Sequence, residues 1–365
     1  MERMKILLVN NARVCSGCED HLVDLAVWFR DHGVEPVFLV KEASILHERI
    51  DNLGIKAWPV FTSGRQLGLL HRIGKTILAE QPDVISINRE HNILPVTAAT
   101  LLVRPFLRIK PKMVAVFHAP TGRWYPGLGR FDGIIGTSDY TAEPFIRKNP
   151  GIKDKTAVIH YGITVPHVDA ASKLARERPR KYFLGRKFPI IGMVGELWKN
   201  QEELVDVARY LVERFPEITI AFIGGYMESA SLKAKIDASG FPDKFIWTGR
   251  LDRKLIPDIF HDLDLSVSTH RNEGFGIVHI ESLAGYTPVV AYNSGGLVEI
   301  IRKGGGVLVD GGTEDFARAV TDLLSDDPRR FQLGVEGRRV VEENFSIDAM
   351  GNKHLSFYKN LLLVQ

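Results

Sequence analysis

Short apolar runs alternate with helix-periodic stretches along this chain, lapse once near its middle, and then resume. In the first half, strand-like runs stand at 5–9, 36–40, 84–87, 113–117, 133–136 and 157–160. After the first of them, Leu22, Leu25, Ala26 and Phe29 fall at i, i+3, i+4 and i+7, one face of a helix that stops near Gly33. In the second half the runs are 190–194, 218–224, 245–248, 265–268, 289–291 and 306–309. Leu204, Val205, Ala208, Leu211 and Val212 mark a helix face there. Apolar strands separated by helices predict parallel sheets covered on both faces.

A chain of 365 residues is too long for one ordinary core and suits two domains. The expected architecture is α/β, two Rossmann-like doubly wound parallel-sheet domains facing a central cleft. The first spans 1–165 and the second 189–346. A linker, 166–188, holds Pro166, Pro179 and a dense basic set: Lys173, Arg176, Arg178, Arg180, Lys181, Arg186 and Lys187. A closing helix, 347–365, is free to pack back on the first domain. Ligands of such folds bind outside the carboxyl ends of the strands.

Composition narrows the partners. With 45% hydrophobic and 25% charged residues, the chain reads as a soluble globular protein. A net charge of +3 does not argue for nucleic acid. Two cysteines, Cys15 and Cys18, are too few for a disulfide framework and point to a reducing, cytoplasmic compartment. No apolar run reaches the roughly 18 residues of a membrane span. The stretch 4–9 is too short for a signal-peptide core and reads as a first strand.

Chemistry concentrates late in the chain. From Ser268 it reads Ser-Thr-His270-Arg271-Asn-Glu273-Gly274-Phe275-Gly276-Ile-Val-His279-Ile-Glu281, and runs on to Asn293-Ser-Gly295-Gly296-Leu297. Glu273 precedes a Gly-Phe-Gly turn and Glu281 lies eight residues on, along the apolar stretch behind it. Gly274 and Gly276 leave the backbone open to a ligand. A helix beginning near Gly276 presents unpaired, partly positive N–H groups, which suit an anion or a cluster of sugar hydroxyls. Glu281 can accept from a vicinal diol, as acidic residues do with ribose in dinucleotide folds. The bland alternative is two solvated glutamates on a surface helix. Gly295-Gly296 follows the next strand, with Glu299 three residues on. That pair either bares N–H groups for a phosphate or makes a tight turn needing positive φ. Upstream, Gly195-Glu196-Leu-Trp-Lys199 opens a helix just after a strand, and Lys199 is a candidate cation for a diphosphate.

Together, 195–201, 273–281 and 295–299 resemble the carboxyl-terminal domain of family 4 glycosyltransferases, retaining enzymes of the GT-B fold with a Glu-x7-Glu motif. The first half is similar in several segments. Gly17 before a helix resembles the family's glycine-rich first loop, and Phe117-His118-Ala119-Pro120 the strand end bearing its active-site histidine. Ser138, Ile159-His160-Tyr161-Gly162-Ile163 and Asn344-Phe345-Ser346 fit its closing segments. The resemblance implies transfer, with retention, of a hexose-type sugar from a UDP- or GDP-linked donor to a hydroxyl of a glycan, lipid-linked or small-molecule acceptor.

It also implies roles. Glu281 would hold the donor ribose. Glu273 and the backbone of Gly274, Phe275 and Gly276 would hold the donor sugar. Lys199 and amides near Gly17, Gly295 and Gly296 would meet the diphosphate. His118 would contact the sugar or the reacting phosphate, making His118, Glu273 and Lys199 the catalytic set. The base would lie near Gly249, Arg250 and Leu251, read largely by backbone. No metal and no cofactor beyond the nucleotide sugar is implied. The leaving diphosphate takes the acceptor's proton in a same-face displacement, so the protein's task is to stabilise charge on that leaving group.

Three positions depart from the family pattern. Glu196 stands where Arg is common, the spacing from Gly195 to Lys199 is short, and His270 replaces a common serine. Arg271 and Arg250 are the cations that could restore the lost charge. A nucleotide-sugar epimerase on the same fold and a silent sugar-nucleotide-binding protein are the rival readings.

Other motifs carry less. Cys15-x-x-Cys18 before a helix has the spacing of a redox pair, and His21 would add a third metal ligand with no evident fourth. A chain this long and so patterned favours reading the pair as substitutions in a phosphate-facing loop. Gly68–Thr76 is not a P-loop, because Leu69 replaces the needed glycine. The stretch 101–113 interleaves Arg104, Arg108, Lys110 and Lys112 with apolar residues. It reads either as peripheral contact at an inner membrane face or as a solvated helix face; Pro105 and Pro111 favour the second.

Overall fold

The computed structural model describes residues 3–62, 68–125, 127–168, 170, 173, 181–183, 185–186, 188–225 and 229–363. They fall into two compact units, Met1–Ile163 joined by Ile347–Gln365, and Thr164–Ser346.

The first unit has a seven-stranded sheet in the order β3-β2-β1-β4-β5-β6-β7. Its strands are β1 (Lys5–Val9), β2 (Glu35–Lys41), β3 (Lys56–Phe61), β4 (Val84–Ile87), β5 (Lys112–Phe117), β6 (Gly133–Gly136) and β7 (Thr156–Val158), all paired in parallel. Both faces are covered. Ile6 and Leu8 point into one apolar cluster while Leu7 and Val9 point into the other. An unbroken apolar run is therefore the right sequence for β1. β3 escaped the apolar pattern because it is an edge strand, where exposed Lys56 and Pro59 are tolerated.

The second unit has a six-stranded parallel sheet in the order β10-β9-β8-β11-β12-β13. These are β8 (Ile190–Val194), β9 (Thr219–Ile223), β10 (Phe245–Trp247), β11 (Leu265–Ser268), β12 (Val289–Tyr292) and β13 (Gly306–Val309). In each sheet the unit's first strand lies inside, and the order reverses beside it, between β1 and β4 and between β8 and β11. In folds of this kind ligands bind at such a reversal, outside the carboxyl ends of the strands.

The closing helix Ile347–Leu363 belongs to the first unit. It lies on the helix Gly17–Asp31, where the Trp28 indole donates to Asp348 at 2.7 Å. A Cβ at Gly351 would stand 2.3 Å from the Trp28 ring, so only glycine permits this approach.

Of the expected linker, 169, 171–172, 174–180, 184 and 187 lie outside the described residues, among them Arg176, Arg178, Pro179, Arg180 and Lys187. Lys173 belongs to the second unit and is buried. Its ammonium lies 2.9, 2.8 and 2.6 Å from the carbonyls of Phe260, His261 and Leu263, and 2.6 Å from Thr287 Oγ1. It closes the carboxyl end of the helix Ile256–Asp262, where a cation is favoured.

Candidate functional site

In the second unit the site grows from the ends of β8 and β11. After β8 the chain turns through Gly195 at φ 151, and the Lys199 side chain folds back across that glycine. A Cβ at Gly195 would meet Lys199 Cδ at 3.1 Å. Despite the short spacing, Lys199 Nζ therefore reaches Glu273 Oε2, at 2.6 Å. Glu196, which stands where the family often has Arg, is exposed; its carbonyl accepts from Gln201 at 2.7 Å. Burial works to raise the Glu273 pKa, but the adjacent ammonium outweighs it and holds the carboxyl below its ordinary value.

The Glu273 backbone is fixed from the far side. Gly296 N–H donates to the Glu273 carbonyl at 2.7 Å. A Cβ at Gly295 would stand 2.8 Å from that carbonyl oxygen and 3.0 Å from the Glu273 nitrogen. Both readings of this glycine pair meet here. It is a tight turn at φ 76, and it clamps Glu273. The Gly296 amide is thereby occupied.

The Gly-Phe-Gly turn is anchored from within. Phe275 is buried, its ring 5.7 Å from that of Phe345. Gly276 sits at φ 93, and a Cβ there would meet His279 at 2.5 Å and Glu273 Cγ at 3.1 Å. The helix Ile277–Ala284 follows and carries Glu281, with Arg253 Nη2 4.0 Å from its carboxylate. His279 is buried against the turn, and among the described residues neither ring nitrogen has a hydrogen-bond partner. Burial pushes its imidazole down to about 4, so it is neutral. His270 is buried beside it, its ring edge-on to Trp198 at 5.3 Å, and burial lowers its pKa too. Farther along, Gly249 at φ 64 accepts from Gly224 N–H at 3.1 Å; Arg250 is exposed and Leu251 half-buried.

Arg271 does not restore the missing charge. Glu203 grips it with two bonds of 2.6 and 3.0 Å and also accepts from Tyr292, on whose ring the guanidinium stacks at 3.6 Å. Its charge is matched inside the fold.

In the first unit, Gly17 opens the helix Gly17–Asp31 behind an N-capping Ser16. Glu19 closes a capping box there, accepting from Ser16 N–H at 3.1 Å and Ser16 Oγ at 2.5 Å. It also accepts from Asn10 at 3.2 Å, and from Arg89, at the end of β4, at 3.2 and 2.6 Å. Burial favours its neutral form, yet Ser16 and Arg89 together hold the carboxyl below its usual value. His118 follows β5. Its Nδ1 lies 2.5 Å from the Tyr161 hydroxyl, which lies 3.4 Å from Cys18 Sγ. Burial pushes His118 down to about 4, so the imidazole is neutral near pH 7. Both cysteines are free thiols, and burial raises the Cys15 pKa, which makes it a poor redox nucleophile.

Sequence reasoning did not single out Glu19, Arg89, Glu203, Tyr292 or Arg253, and it quoted Tyr161 only as part of the segment 159–163. Only Glu19 carried a local signal, the Ser16-x-x-Glu19 pattern of a capping box. The others are defined by contacts between residues distant in sequence.

Two family descriptions match the chain. Residues 15–165 match Glycosyltransferase Family 4, and 175–340 match Glycosyl transferases group 1. A lipopolysaccharide core biosynthesis mannosyltransferase of Rhizobium leguminosarum bv. viciae is 25% identical over 288 residues, covering 73% of this chain and 76% of the relative. A glycosyltransferase of Rickettsia africae superposes with a TM-score of 0.83 at 20% identity, over all of both chains. HepE of Anabaena, solved in complex with UDP and glucose, superposes at 0.80 with 20% identity, covering 98% of this chain and 99% of the other.

Proposed function

The chain belongs to the family 4 glycosyltransferases, with the GT-B fold, and on that premise we propose that it moves a hexose-type sugar from a UDP- or GDP-linked donor to an acceptor hydroxyl, with retention. The acceptor is a glycan, a lipid-linked saccharide or a small molecule, and free thiols suit a reducing, cytoplasmic setting.

The observation that carries this reading is the Lys199–Glu273 ion pair beyond the carboxyl ends of β8 and β11. An ammonium and an ionised carboxylate, each about one-seventh exposed, are presented together with their positions fixed by glycines. A sugar diphosphate offers a partner to each. The diphosphate attracts Lys199, and sugar hydroxyls donate to Glu273. Lys199 then stabilises charge growing on the leaving diphosphate, which accepts the proton of the attacking hydroxyl. Neutral His118, held by Tyr161 at Nδ1 and by the Asn88 backbone, is the residue we assign to contact the sugar or the phosphate. Glu281 accepts from the ribose diol. Gly295, the Gly274–Gly276 backbone and the loop at Gly249, Arg250 and Leu251 complete the donor contacts.

A thermal-shift screen of UDP-, GDP-, ADP- and dTDP-sugars tests the donor class. Stabilisation by UDP- or GDP-sugars is expected, rising with concentration by mass action. Indifference to all four would overturn the reading. Anomer-resolved product analysis tests retention; inversion, or epimerised donor without acceptor, would refute it. We keep the reaction metal-free, and full loss of activity in EDTA would contradict that.

A further inference from the structure

Between Glu90 and Asp132 the chain contains no carboxylate side chain. Within that span, the helix Ile93–Val103, the 3₁₀ turn Arg104–Phe106 and the lead-in to β5 form one continuous segment of the first unit. It is held firmly from below. Val103 and Leu107 pack on the core cluster. Gly74, on the helix Leu69–Glu80, comes so close that a Cβ there would stand 2.9 Å from the Val103 side chain. Arg108 N–H donates to Gln81 at 2.9 Å.

The outward residues have a different character. Leu101, Leu102, Phe106 and Ile109 are 41, 66, 71 and 59% exposed, though their neighbours Val103 and Leu107 are packed inward. Arg104, Arg108 and Lys110 alternate with them, all exposed, and among the described residues none of the three makes an ion pair. Lys75, beside the Gly74 contact, is exposed as well. Ordinary surfaces mix both signs of charge and keep large apolar side chains apart.

We propose that this face docks on a membrane surface carrying anionic lipid. Leucine, phenylalanine and isoleucine side chains enter the boundary between headgroups and acyl chains, and the interleaved cations reach lipid phosphates alongside. The charge complementarity commits the face to that occupant: Lys112 at the segment's end is matched by Asp132, but Arg104, Arg108 and Lys110, which make no ion pair among the described residues, suit a dense field of anions. Pro105 and Pro111 do not disperse the patch, because Phe106 and Ile109 stay outward beside them. The contact is peripheral, as no helix among the described residues is long and apolar enough to cross a membrane. One corollary rests on the transferase reading, that the acceptor is lipid-linked.

The test is co-sedimentation of the full chain with vesicles, without donor or acceptor, so that its outcome is independent of the transferase reading. Binding is expected to vesicles of phosphatidylcholine mixed with phosphatidylglycerol, to weaken with added salt, and to be absent with phosphatidylcholine alone. Arg104→Gln, Arg108→Gln and Lys110→Gln together should weaken partition about a hundredfold. Leu102→Glu with Phe106→Glu should abolish it, while both variants keep the parent's melting temperature. Equal binding by parent and variants, or none to the anionic vesicles, would overturn the proposal. So would a dimer in light scattering that Leu102→Glu dissolves, since a second copy of the chain would then own this face.

Discussion

Glu19 and Glu273 are the central carboxylates of their respective units, and they are held in opposite ways. Glu19 is fully buried and saturated, taking bonds from Asn10, Ser16 and Arg89. Glu273 has its backbone clamped by Gly295 and Gly296, while its carboxylate faces Lys199 and keeps some exposure. A saturated carboxylate shapes a loop. A singly paired one, fixed at its backbone and open at its tip, can exchange its partner for a ligand. The difference teaches that position near a phosphate-binding loop does not assign a role; the number of internal partners does.

The largest effect that bears on this contrast is in stability. Glu19→Ala removes a fully buried acceptor from Asn10 and the Ser16 cap and leaves the partly exposed Arg89 without its counter-ion, and should cost about 3 kcal/mol. Glu273→Ala removes one ion pair rather than five bonds and should cost less, about 1.5 kcal/mol. Urea unfolding of both variants checks this, and equal losses would erase the distinction between scaffold and ligand carboxylate.

How legible that distinction was in the sequence depends on which contacts make it. The doubly wound pattern was plain because buried parallel strands are apolar on both faces, as Ile6 to Val9 show. β3 was not, because edge strands admit Lys56 and Pro59. Lys173 read as a linker cation, because nothing local reveals four oxygens supplied by residues 87 to 114 positions away. Glu273, Glu281 and the glycines were legible as a motif with tight spacing. The reach of Lys199 was not, since a short spacing says little until the side chain is seen folded over Gly195. Nor was the use of the Gly296 amide, which is bound to the Glu273 carbonyl.

Next in size is the pH response, where the units behave alike. His279 in the second and His354 in the first are buried, and burial drives their pKa values to about 4 and about 3. Both are then neutral when folded, while the unfolded chain takes up protons from about pH 6.5 downward. The unfolded state binds more protons in that window, so stability is full above it and falls as pH drops from 6.5 toward 4. His279 alone should account for roughly 3 kcal/mol. His279→Leu should flatten the second unit's share of the slope in pH-dependent unfolding. An unchanged slope would mean that its imidazole is protonated in the fold.

Glu273→Gln sharpens the contrast in function. The amide keeps the shape but loses the charge that opposes Lys199. Turnover should fall about a hundredfold, the scale of losing one transition-state contact, with donor affinity changed less. Equal loss in KM and none in kcat would make Glu273 a binding residue only.

The smallest effect separates the two glutamates of one motif. Glu281 lies on the helix Ile277–Ala284, beyond the clamp of Gly295 and Gly296, with Arg253 at 4.0 Å as a distant counter-charge. Its proposed work is to accept from ribose hydroxyls, which exist equally in ground and transition states. A uniform contact of that kind raises affinity without raising kcat. Glu281→Ala should weaken nucleotide binding about tenfold in calorimetry, the worth of a hydrogen bond to a charged group. At saturating donor kcat should be nearly unchanged, opposite to Glu273→Gln. If Glu281→Ala instead lowered kcat with affinity intact, the two carboxylates would share one role, and the partition between them would fail.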